Sequence, residues 1–413
     1  MTSFFPNSGI FVEIEYFNIP KEGQNAAGDV FLSETFLKGR RIIAALSDGL
    51  GSGIKANVMA SLTSTMIIKF VLLDIPPKRA AELIVNSLPV RSESALSYAT
   101  FTLIDIDKNF SVKIIEYDNP PIVVIRDGNI IGLKKQKIPI ERKNKKTGPQ
   151  DENIFISNFS AHSGDRLIFF SDGVTQAGIG ISEKFQGGIG ITDIKDFIKK
   201  TISERADISA RDLSQTIVEY ACQSDNDHAH DDITCAVAYF RHPRDLLVIS
   251  GPPFTPENDT ELMRIFSDFP GKKIISGGTT AQIIARMLNK QITHAEKNTY
   301  SESEYEDEGI LRVPAESIME GVDLVCEGII TLGAVSEILL NPNMNEYDGS
   351  AAAKMINIFM NSDRILFLTG TRINEAHQDP TMPVELEIRR NVIKKIASTL
   401  EDKYAKYVTI QYI

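Results

Sequence analysis

The stretch IIAALSDGLGSGIKANVMASL at residues 42–62 joins an apolar run to a carboxylate and a glycine-rich turn. The run is aliphatic and partly β-branched, as in a buried strand, and it ends at Asp48 and Gly49. Apolar residues then recur at helical spacing, namely Val58, Leu62, Met66 and Phe70. The stretch therefore predicts a buried strand that ends at a carboxylate and leads into a helix.

A second stretch, DRLIFFSDGVTQAG at residues 165–178, repeats the apolar strand followed by Ser-Asp-Gly. We expect Asp48 and Asp172 at strand ends where the backbone leaves the sheet, each with a glycine that lets main chain approach a ligand closely. A third pair, Asp127 and Gly128 in VVIRDGNII, lies between two alternating apolar runs and predicts an ordinary hairpin turn. Only the first two pairs indicate a site.

Further carboxylates occupy strand starts. Asp29 opens the strand in NAAGDVFLSE, and Asp231 and Asp232 precede ITCAVAYF. Adjacent carboxylates at a strand end repel each other and cost stability unless a cation or a hydrogen-bond donor compensates. Oxygen ligands without thiolates favour Mg²⁺ or Mn²⁺ over zinc. The four acidic strand ends therefore predict a shared hard cation.

Composition excludes several classes of protein. The chain has 413 residues, which predicts two or three domains, and its net charge of −11 argues against a nucleic-acid binder. Cys222, Cys235 and Cys326 have no paired or metal-like spacing, which fits a reducing compartment. No segment resembles a membrane span of about 20 apolar residues or a signal peptide. We expect a cytoplasmic location without membrane contact.

The hydrophobic pattern divides the chain near residue 243. Residues 11–240 carry about nine short strand patterns, with helical patterns between groups of them, which predicts stacked sheets covered by helices. Beyond Pro243, strands and helices alternate, as in a smaller α/β domain with a partly parallel sheet. The predicted domains are residues 1–242 and 243–413.

The ordered motifs GD (residues 28–29), SDGLGSG (47–53), SDG (171–173) and DDIT (231–234) resemble those of PPM-type metal-dependent Ser/Thr protein phosphatases. The most similar branch is that of sporulation stage II protein E (SpoIIE-like) and its stress-response relatives. The resemblance covers residues 10–240 and not the C-terminal domain. It implies an α-β-β-α sandwich, in which helices flank two antiparallel sheets.

The resemblance also implies a function. Two divalent ions, Mn²⁺ or Mg²⁺, would activate a water that hydrolyses phosphoserine or phosphothreonine on a protein, in bacterial signalling. The protein substrate could be of the anti-sigma-factor antagonist type, and the chain could form a homodimer. The residues leave two alternatives open: a catalytically silent module that binds a phosphoprotein or a signal, and a phosphatase of small molecules.

Site residues carry over position by position. The metal site is assigned to Asp29, Asp48, Gly49, Asp172, Asp231 and Asp232. Asp48 resembles the carboxylate that bridges both ions, and Gly49 the position whose carbonyl joins one of them. Asp172 and Asp231 resemble the other carboxylate ligands and complete the catalytic set with Asp48. Asp29 resembles the N-terminal acidic residue that binds metal directly or through water.

Two positions need comment. Asp232 occupies a place often held by Asn or Asp, and we expect it to support the ligands from behind. No basic residue near Asp29 matches the Arg that some relatives use to hold phosphate, although Lys21, Arg40 or Arg41 could substitute. The phosphate-orienting residue is therefore unassigned from the sequence.

Residues near the site have other interpretations. Cys235 and Arg241 have the C-x5-R spacing of cysteine phosphatases, but AVAYF between them alternates like a strand. An extended strand would hold the two side chains roughly 20 Å apart, which disfavours that chemistry. His228 and His230 lie in a polar loop, where solvated histidines are more common than ligands or proton donors.

The second domain offers one candidate binding site. The segment KKIISGGTTAQIIARML places four small residues between a strand and a helix, namely Gly277, Gly278, Thr279 and Thr280. Amides at a helix N-terminus attract anions, so a small molecule or anion could bind here, although no Walker lysine is present and a plain turn is the alternative. The basic run at residues 134–146 and the acidic run at 301–309 are expected to be exposed.

Overall fold

The computed structural model describes residues 2–4, 9–36, 41–49, 51, 53–87, 99–141, 152–182, 184–294, 316–341, 349–372 and 384–413. The chain divides into two compact units, Met1–His242 and Pro243–Ile413. Arg40, the acidic run at residues 301–309 and the end of the basic run lie outside the described residues.

The first unit is built from two six-stranded antiparallel sheets. Its strands are β1 (Thr2–Phe4), β2 (Phe11–Ile19), β3 (Val30–Phe36), β4 (Arg41–Ser47), β5 (Phe101–Asp107), β6 (Ser111–Tyr117), β7 (Val123–Arg126), β8 (Asn129–Ile131), β9 (Gln136–Ile140), β10 (Glu152–Ser160), β11 (Arg166–Phe170) and β12 (Ile233–Arg241). One sheet has the order β1-β2-β12-β11-β7-β8, and the other has β3-β4-β5-β6-β10-β9.

Helices cover the outer faces of both sheets. They are α1 (Gly53–Leu72), α2 (Pro77–Ser87), α3 (Asp172–Gln176), α4 (Gly190–Glu204) and α5 (Ala210–Ser224). Ile14, Leu46 and Leu167 belong to the core between the sheets, while Ile67 of α1 and Leu213 of α5 belong to the two outer cores. The predicted α-β-β-α sandwich is confirmed.

Strand β4 shows why the decisive run is continuously apolar. Ile42, Ala44 and Leu46 face the core between the sheets, whereas Ile43 and Ala45 face the core under α1 and α2. Successive side chains of a strand point to opposite faces, so a strand covered on both faces loses the usual polar alternation. Two-sided burial holds the end of β4, and the carboxylate that follows it, in place.

Helix α1 corrects one expectation. It has 20 residues and is apolar enough to cross a membrane by length and composition, the property that we expected no segment to have. Ile67, Ile68 and Val71 nevertheless pack into the core under this helix, and a helix buried against a sheet passes the same test. The predicted helical period is correct, but Val58 and Leu62 are 50% and 47% exposed.

The pair Asp127 and Gly128 forms the predicted hairpin turn. Arg126 of β7 pairs with Asn129 of β8, which leaves these two residues as the whole loop. Their φ angles are +50° and +73°, as a type I′ turn requires at both central positions. This Asp-Gly pair therefore has a structural explanation.

The second unit is a mixed sheet between two layers of helices. Its strands are β13 (Asp245–Ser250), β14 (Lys272–Ser276), β15 (Thr293–His294), β16 (Ser317–Ile318), β17 (Leu324–Cys326), β18 (Arg364–Thr369) and β19 (Tyr407–Tyr412). Its helices are a short 3-10 turn (Pro256–Asn258), α6 (Asp259–Asp268), α7 (Gly278–Leu288), α8 (Ile329–Leu340), α9 (Ala351–Met360) and α10 (Val384–Tyr404).

The sheet of the second unit has the order β15-β16-β17-β14-β13-β18-β19. Strands β17, β14, β13, β18 and β19 are parallel, and the other two pair antiparallel at one edge. Helices α6 and α7 cover one face, and α8, α9 and α10 cover the other. The predicted α/β fold with a partly parallel sheet is confirmed.

Candidate metal centre

Strand pairing brings the predicted carboxylates to one end of the two sheets. Val30 of β3 pairs with Ser47 of β4, so Asp29 and Asp48 are the next residues on neighbouring strands. In the other sheet, Phe170 of β11 pairs with Cys235 of β12, which places Asp172 beside the start of β12. Each carboxylate lies where a strand begins or ends, as the sequence predicts.

The charges of these carboxylates act on one another. Burial, followed by the charges of Asp29 and Asp172, raises the pKa of Asp48 to about 10. A hydrogen bond to Asp172 and the charge of Asp231 raise the Asp48 pKa further. The pKa of Asp231 is also raised, first by burial and then by Asp172 and Asp232. The four side chains form one electrostatic cluster, called here the acidic cluster: Asp29, Asp48, Asp172 and Asp231.

Asp29 is the most buried member of the acidic cluster. It is 5% exposed, and burial raises its pKa to about 7, although the nearby hydroxyls of Thr234 and Ser171 lower it. Neither carboxyl oxygen of Asp29 has a hydrogen-bond partner of good geometry among the described residues. A buried carboxylate without a partner is costly, and a cation would supply the missing interaction. The donor set therefore fits a hard divalent ion.

The acidic cluster is not a preassembled ligand shell. Within the part of the chain that the structure describes, no three His, Cys, Asp or Glu side chains already converge closely enough to hold one ion. Asp48 and Asp172 line a common cavity of about 440 Å³, and Asp231 is not part of its lining.

The serines of the two Ser-Asp-Gly motifs anchor the strand ends. Ser47 is fully buried and its hydroxyl donates to the carbonyl of Thr100 at 2.7 Å. Ser171 is equally buried, and its hydroxyl accepts from the amide of Thr234 at 3.1 Å. Each hydroxyl ties its strand to the neighbouring segment one residue before the carboxylate. These hydrogen bonds fix the backbone positions of Asp48 and Asp172.

The glycines of the same motifs allow backbone segments to touch. A Cβ at Gly49 would clash with the carbonyl of Ala56 in α1, and a Cβ at Gly173 would clash with the carbonyl of Asp232. The expected close approach of main chain is therefore real, but the groups that approach are other segments of the protein. Leu50 and Ser52 of the first motif lie outside the described residues.

Asp232 holds the segment that carries Asp29. Its Oδ1 accepts from the amide of Lys21 at 2.9 Å, and its Oδ2 accepts from the amide of Gly28 at 2.8 Å. Because both oxygens bond to backbone, Asp232 positions Asp29 from behind, and its own carboxylate is already satisfied.

Replacing Asp232 with asparagine should destabilise the first unit by about 1–3 kcal/mol, because one buried amide would face the NH₂ group of Asn and lose its acceptor. Urea denaturation of the metal-free protein measures this loss. Asp231→Asn is the matched control, since its Oδ1 only accepts from the next amide and asparagine can do the same. Equal losses in both variants would contradict the positioning role of Asp232.

The cavity is also lined by residues that the sequence motifs did not predict. Its lining consists of Asp48, Thr100, Asp118, Asn119, Pro120, Asp172 and Gln176. Asn119 donates to the carbonyl of Leu46, and Thr100 hydrogen-bonds to the Asn119 side chain, so this corner is fixed to β4. The available signal was Asp118 directly after the apolar strand β6, the same pattern that identified Asp48.

Lys21, Arg40 and Arg41 were the candidates for binding the phosphate group. Among the described residues, Lys21 is the candidate that lies near the acidic cluster. Its charge lowers the pKa of Asp231 against the other influences. Arg41 instead pairs with Asp105 at 2.9 Å and with Asp74, at the other end of β4. Arg41 is therefore wrong as a phosphate ligand.

The remaining sequence candidates lie apart from the cavity. His228 pairs with Glu22 at 2.8 Å, and both side chains are exposed, while His230 lies 3.9 Å from Asp225 and is also exposed. Cys235 is buried in β12, and burial raises the pKa of its thiol.

The C-x5-R spacing has a structural explanation. Arg241 ends the same strand β12 as Cys235, and its Nε donates to Glu13 at 2.6 Å. Because the two residues lie in one extended strand, they cannot form a phosphate-binding loop, and the cysteine-phosphatase interpretation fails.

Two stacked antiparallel sheets with outer helices, and an acidic cluster at the strand ends, define the first unit as a PPM-type phosphatase domain. The family model of Stage II sporulation protein E (SpoIIE) matches residues 38–241. The first unit is therefore a SpoIIE-like phosphatase domain of the PPM type, as the motifs predicted.

Curated relatives share this part of the chain. Stage II sporulation protein E of Bacillus subtilis (strain 168) is 23% identical over 223 residues, which are 54% of this chain and 25% of that protein. The Stage II sporulation protein E of Priestia megaterium is 23% identical over 224 residues, 54% of this chain and 35% of that protein. The chain thus spans only about a quarter to a third of these relatives.

A solved structure of the PP2C phosphatase domain and a fragment of the regulatory domain of SpoIIE from Bacillus subtilis is also similar. It is 21% identical with a TM-score of 0.44, and the match covers 56% of this chain and 62% of that one.

Proposed function

We propose that the first unit is a Mn²⁺- or Mg²⁺-dependent phosphatase that hydrolyses phosphoserine or phosphothreonine on a protein substrate in bacterial signalling. The acidic cluster carries this proposal, above all the buried Asp29 carboxylate, which has no hydrogen-bond partner of good geometry among the described residues. The match of residues 38–241 to the SpoIIE family model supports the same activity. Repelling carboxylates at a cavity have no structural benefit unless a cation compensates them.

Two divalent ions, when bound, would lower the pKa of a water molecule and neutralise the charge of the phosphate. In the proposed site the carboxylate of Asp48 and the carbonyl of Gly49 would hold the ions. Asp172 and Asp231 would supply the other carboxylates. Asp29 would add a carboxylate from the start of β3. Asp232 holds the backbone there by accepting a hydrogen bond from the amide of Gly28.

The cavity beside Asp48 and Asp172 is the proposed substrate entrance. Its volume of about 440 Å³ lies within the usual range for ligand sites and can accept a phosphorylated side chain. Thr100 and Asn119 provide neutral polar groups on its wall. A protein of the anti-sigma-factor antagonist type is the proposed substrate, and the cytoplasm is the proposed location.

The test is phosphate release by the full chain from a phosphoserine peptide and from p-nitrophenyl phosphate. We expect turnover of both with Mn²⁺, none with EDTA, and recovery when Mn²⁺ is restored, because the acidic cluster cannot activate water without a cation. A heat-denatured sample with Mn²⁺ measures release by the metal alone.

The same assay separates the alternatives. Hydrolysis of small phosphate esters, with a full-length phosphoprotein left intact, would favour a small-molecule phosphatase. Binding of Mn²⁺ without release from any substrate would favour the catalytically silent module.

A further inference from the structure

The parallel strands of the second unit end at a cavity of about 240 Å³. The cavity is lined by residues that follow β13, β14 and β17, together with Arg389 from α10. The chain runs from β13 outward to β14 and β17, then returns to the other side of β13 for β18 and β19. The cavity therefore lies outside the carboxyl ends of parallel strands, the side of an open α/β sheet at which ligands bind.

One wall of this cavity is the start of helix α7. The helix follows Gly277, whose φ of +136° is rarely adopted by residues with a side chain, and no side chain caps its first turn. The first amides of a helix have no intrahelical acceptor, and together with the helix dipole they favour an anion. Gly278 carries no side chain that would cover these amides.

A buried hydroxyl points to a ligand independently of the helix. Thr280 is 0% exposed and lines the cavity, and its Oγ1 has no hydrogen-bond partner among the described residues. A buried hydroxyl left unpaired costs about 1–3 kcal/mol, which a bound acceptor would recover. Among the described residues, none provides such an acceptor to Thr280.

The charges around the cavity select the sign of the ligand. Arg389 contributes a cation to the lining, and its guanidinium lies so close to Gly251 that a Cβ there would be 2.5 Å from Nη1. Glu327 also lines the cavity, but its Oε2 accepts from the amide of Ile330 at 3.0 Å and so caps helix α8. The start of α8 is thus occupied by a carboxylate, whereas no carboxylate of the described residues caps the start of α7.

We propose that this cavity, the C-terminal phosphate site, binds the phosphate group of a small phosphorylated molecule. The first-turn amides of α7, the Thr280 hydroxyl and the Arg389 guanidinium hold the phosphate oxygens. The volume is slightly below the usual 300–1,000 Å³ of small-molecule sites, so it encloses the phosphate and its adjoining group while the rest of the ligand extends outward. Binding of such a ligand by the second unit is separate from the phosphatase activity proposed for the first unit.

Calorimetric titration of the full chain in EDTA tests the site. Inorganic phosphate, adenosine 5′-monophosphate and adenosine are the probes, and hydrogen exchange of the first turn of α7 locates the binding. In EDTA the first unit has no divalent cation to hold a phosphate, so the outcome does not depend on whether the first unit is a phosphatase. We expect both phosphate-bearing probes to bind and to protect α7, and adenosine not to bind.

The two phosphate-bearing probes distinguish the source of the phosphate. Tighter binding of the monophosphate supports a phosphate ester as ligand, and equal binding supports inorganic phosphate; both outcomes support the site. If neither phosphate-bearing probe protects the first turn of α7 from hydrogen exchange, the proposed site is overturned.

Two variants test the individual contacts. Thr280→Val and Arg389→Gln should each weaken phosphate binding by about tenfold or more, a loss of roughly 1.4 kcal/mol. Arg390→Gln is the matched control, because Arg390 is the next residue of α10 and its guanidinium lies 5.2 Å from the ring centroid of Tyr412, outside the cavity lining. An equal loss in Arg390→Gln would show that only overall charge matters and would refute the site. If Thr280→Val does not fold, the two arginine variants decide.

Discussion

Replacing Asp48 with asparagine is expected to lower Mn²⁺-dependent turnover by about a thousandfold or more, because the carboxylate proposed to bridge both ions is lost. The same substitution should raise the stability of the metal-free protein by about 1 kcal/mol or more. Burial and the charges of Asp29 and Asp172 oppose ionisation of Asp48, so folding at neutral pH must keep this carboxyl protonated, and a neutral amide avoids that cost. A substitution that lowers turnover and raises metal-free stability is expected of a carboxylate whose role is to bind a cation.

Turnover is measured with p-nitrophenyl phosphate, and stability by thermal unfolding in EDTA, where 1 kcal/mol moves the midpoint by about 2–4 °C in a domain of this size. Asp127→Asn is the matched control, since it makes the same chemical change in the Asp-Gly pair of the β7–β8 hairpin. Asparagine is well accepted in a type I′ turn, so neither quantity should change. An Asp48→Asn protein with normal turnover, or one less stable than the parent in EDTA, would refute the assignment.

The carboxylates were predictable because each one interrupts a strong local pattern. Asp48 and Asp172 end apolar strands without a hairpin partner, and such a feature is visible in one short stretch of sequence. Pairing of β3 with β4 then places Asp29 beside Asp48, which only the fold can show. The sequence therefore identified the members of the acidic cluster but not their distances or burial.

Other features depend on three-dimensional packing. Helix α1 has the predicted period, yet the small residues Ala56 and Ala60 are buried while Val58 and Leu62 are half exposed. A helix that is apolar on most of its circumference does not reveal which face meets the sheet. The hydrogen-bond partners of Asp232 were equally hidden, since Lys21 and Gly28 are more than 200 residues away in the chain.

Stability of the first unit should respond to pH in opposite ways with and without metal. Burial raises the pKa of Asp29 to about 7 and that of Asp48 to about 10, whereas an unfolded aspartate titrates near 4. Between these values the folded metal-free protein binds more protons than the unfolded chain. Its stability is therefore highest at low pH and falls as the pH rises through the folded pKa values.

Mn²⁺ should reverse this trend, because metal ligands must be deprotonated and metal competes with protons for the same carboxylates. We expect the difference in unfolding midpoint between Mn²⁺ and EDTA to grow by several degrees from about pH 5.5 to about pH 8. Thermal unfolding across this range, following the transition that responds to Mn²⁺, measures it. In Asp48→Asn, the unfolding midpoint in EDTA should depend less on pH, and the rise of the midpoint on adding Mn²⁺ should vanish. If the difference in unfolding midpoint between Mn²⁺ and EDTA did not change with pH, no proton would be displaced when the ion binds. These carboxylates would then not be its ligands.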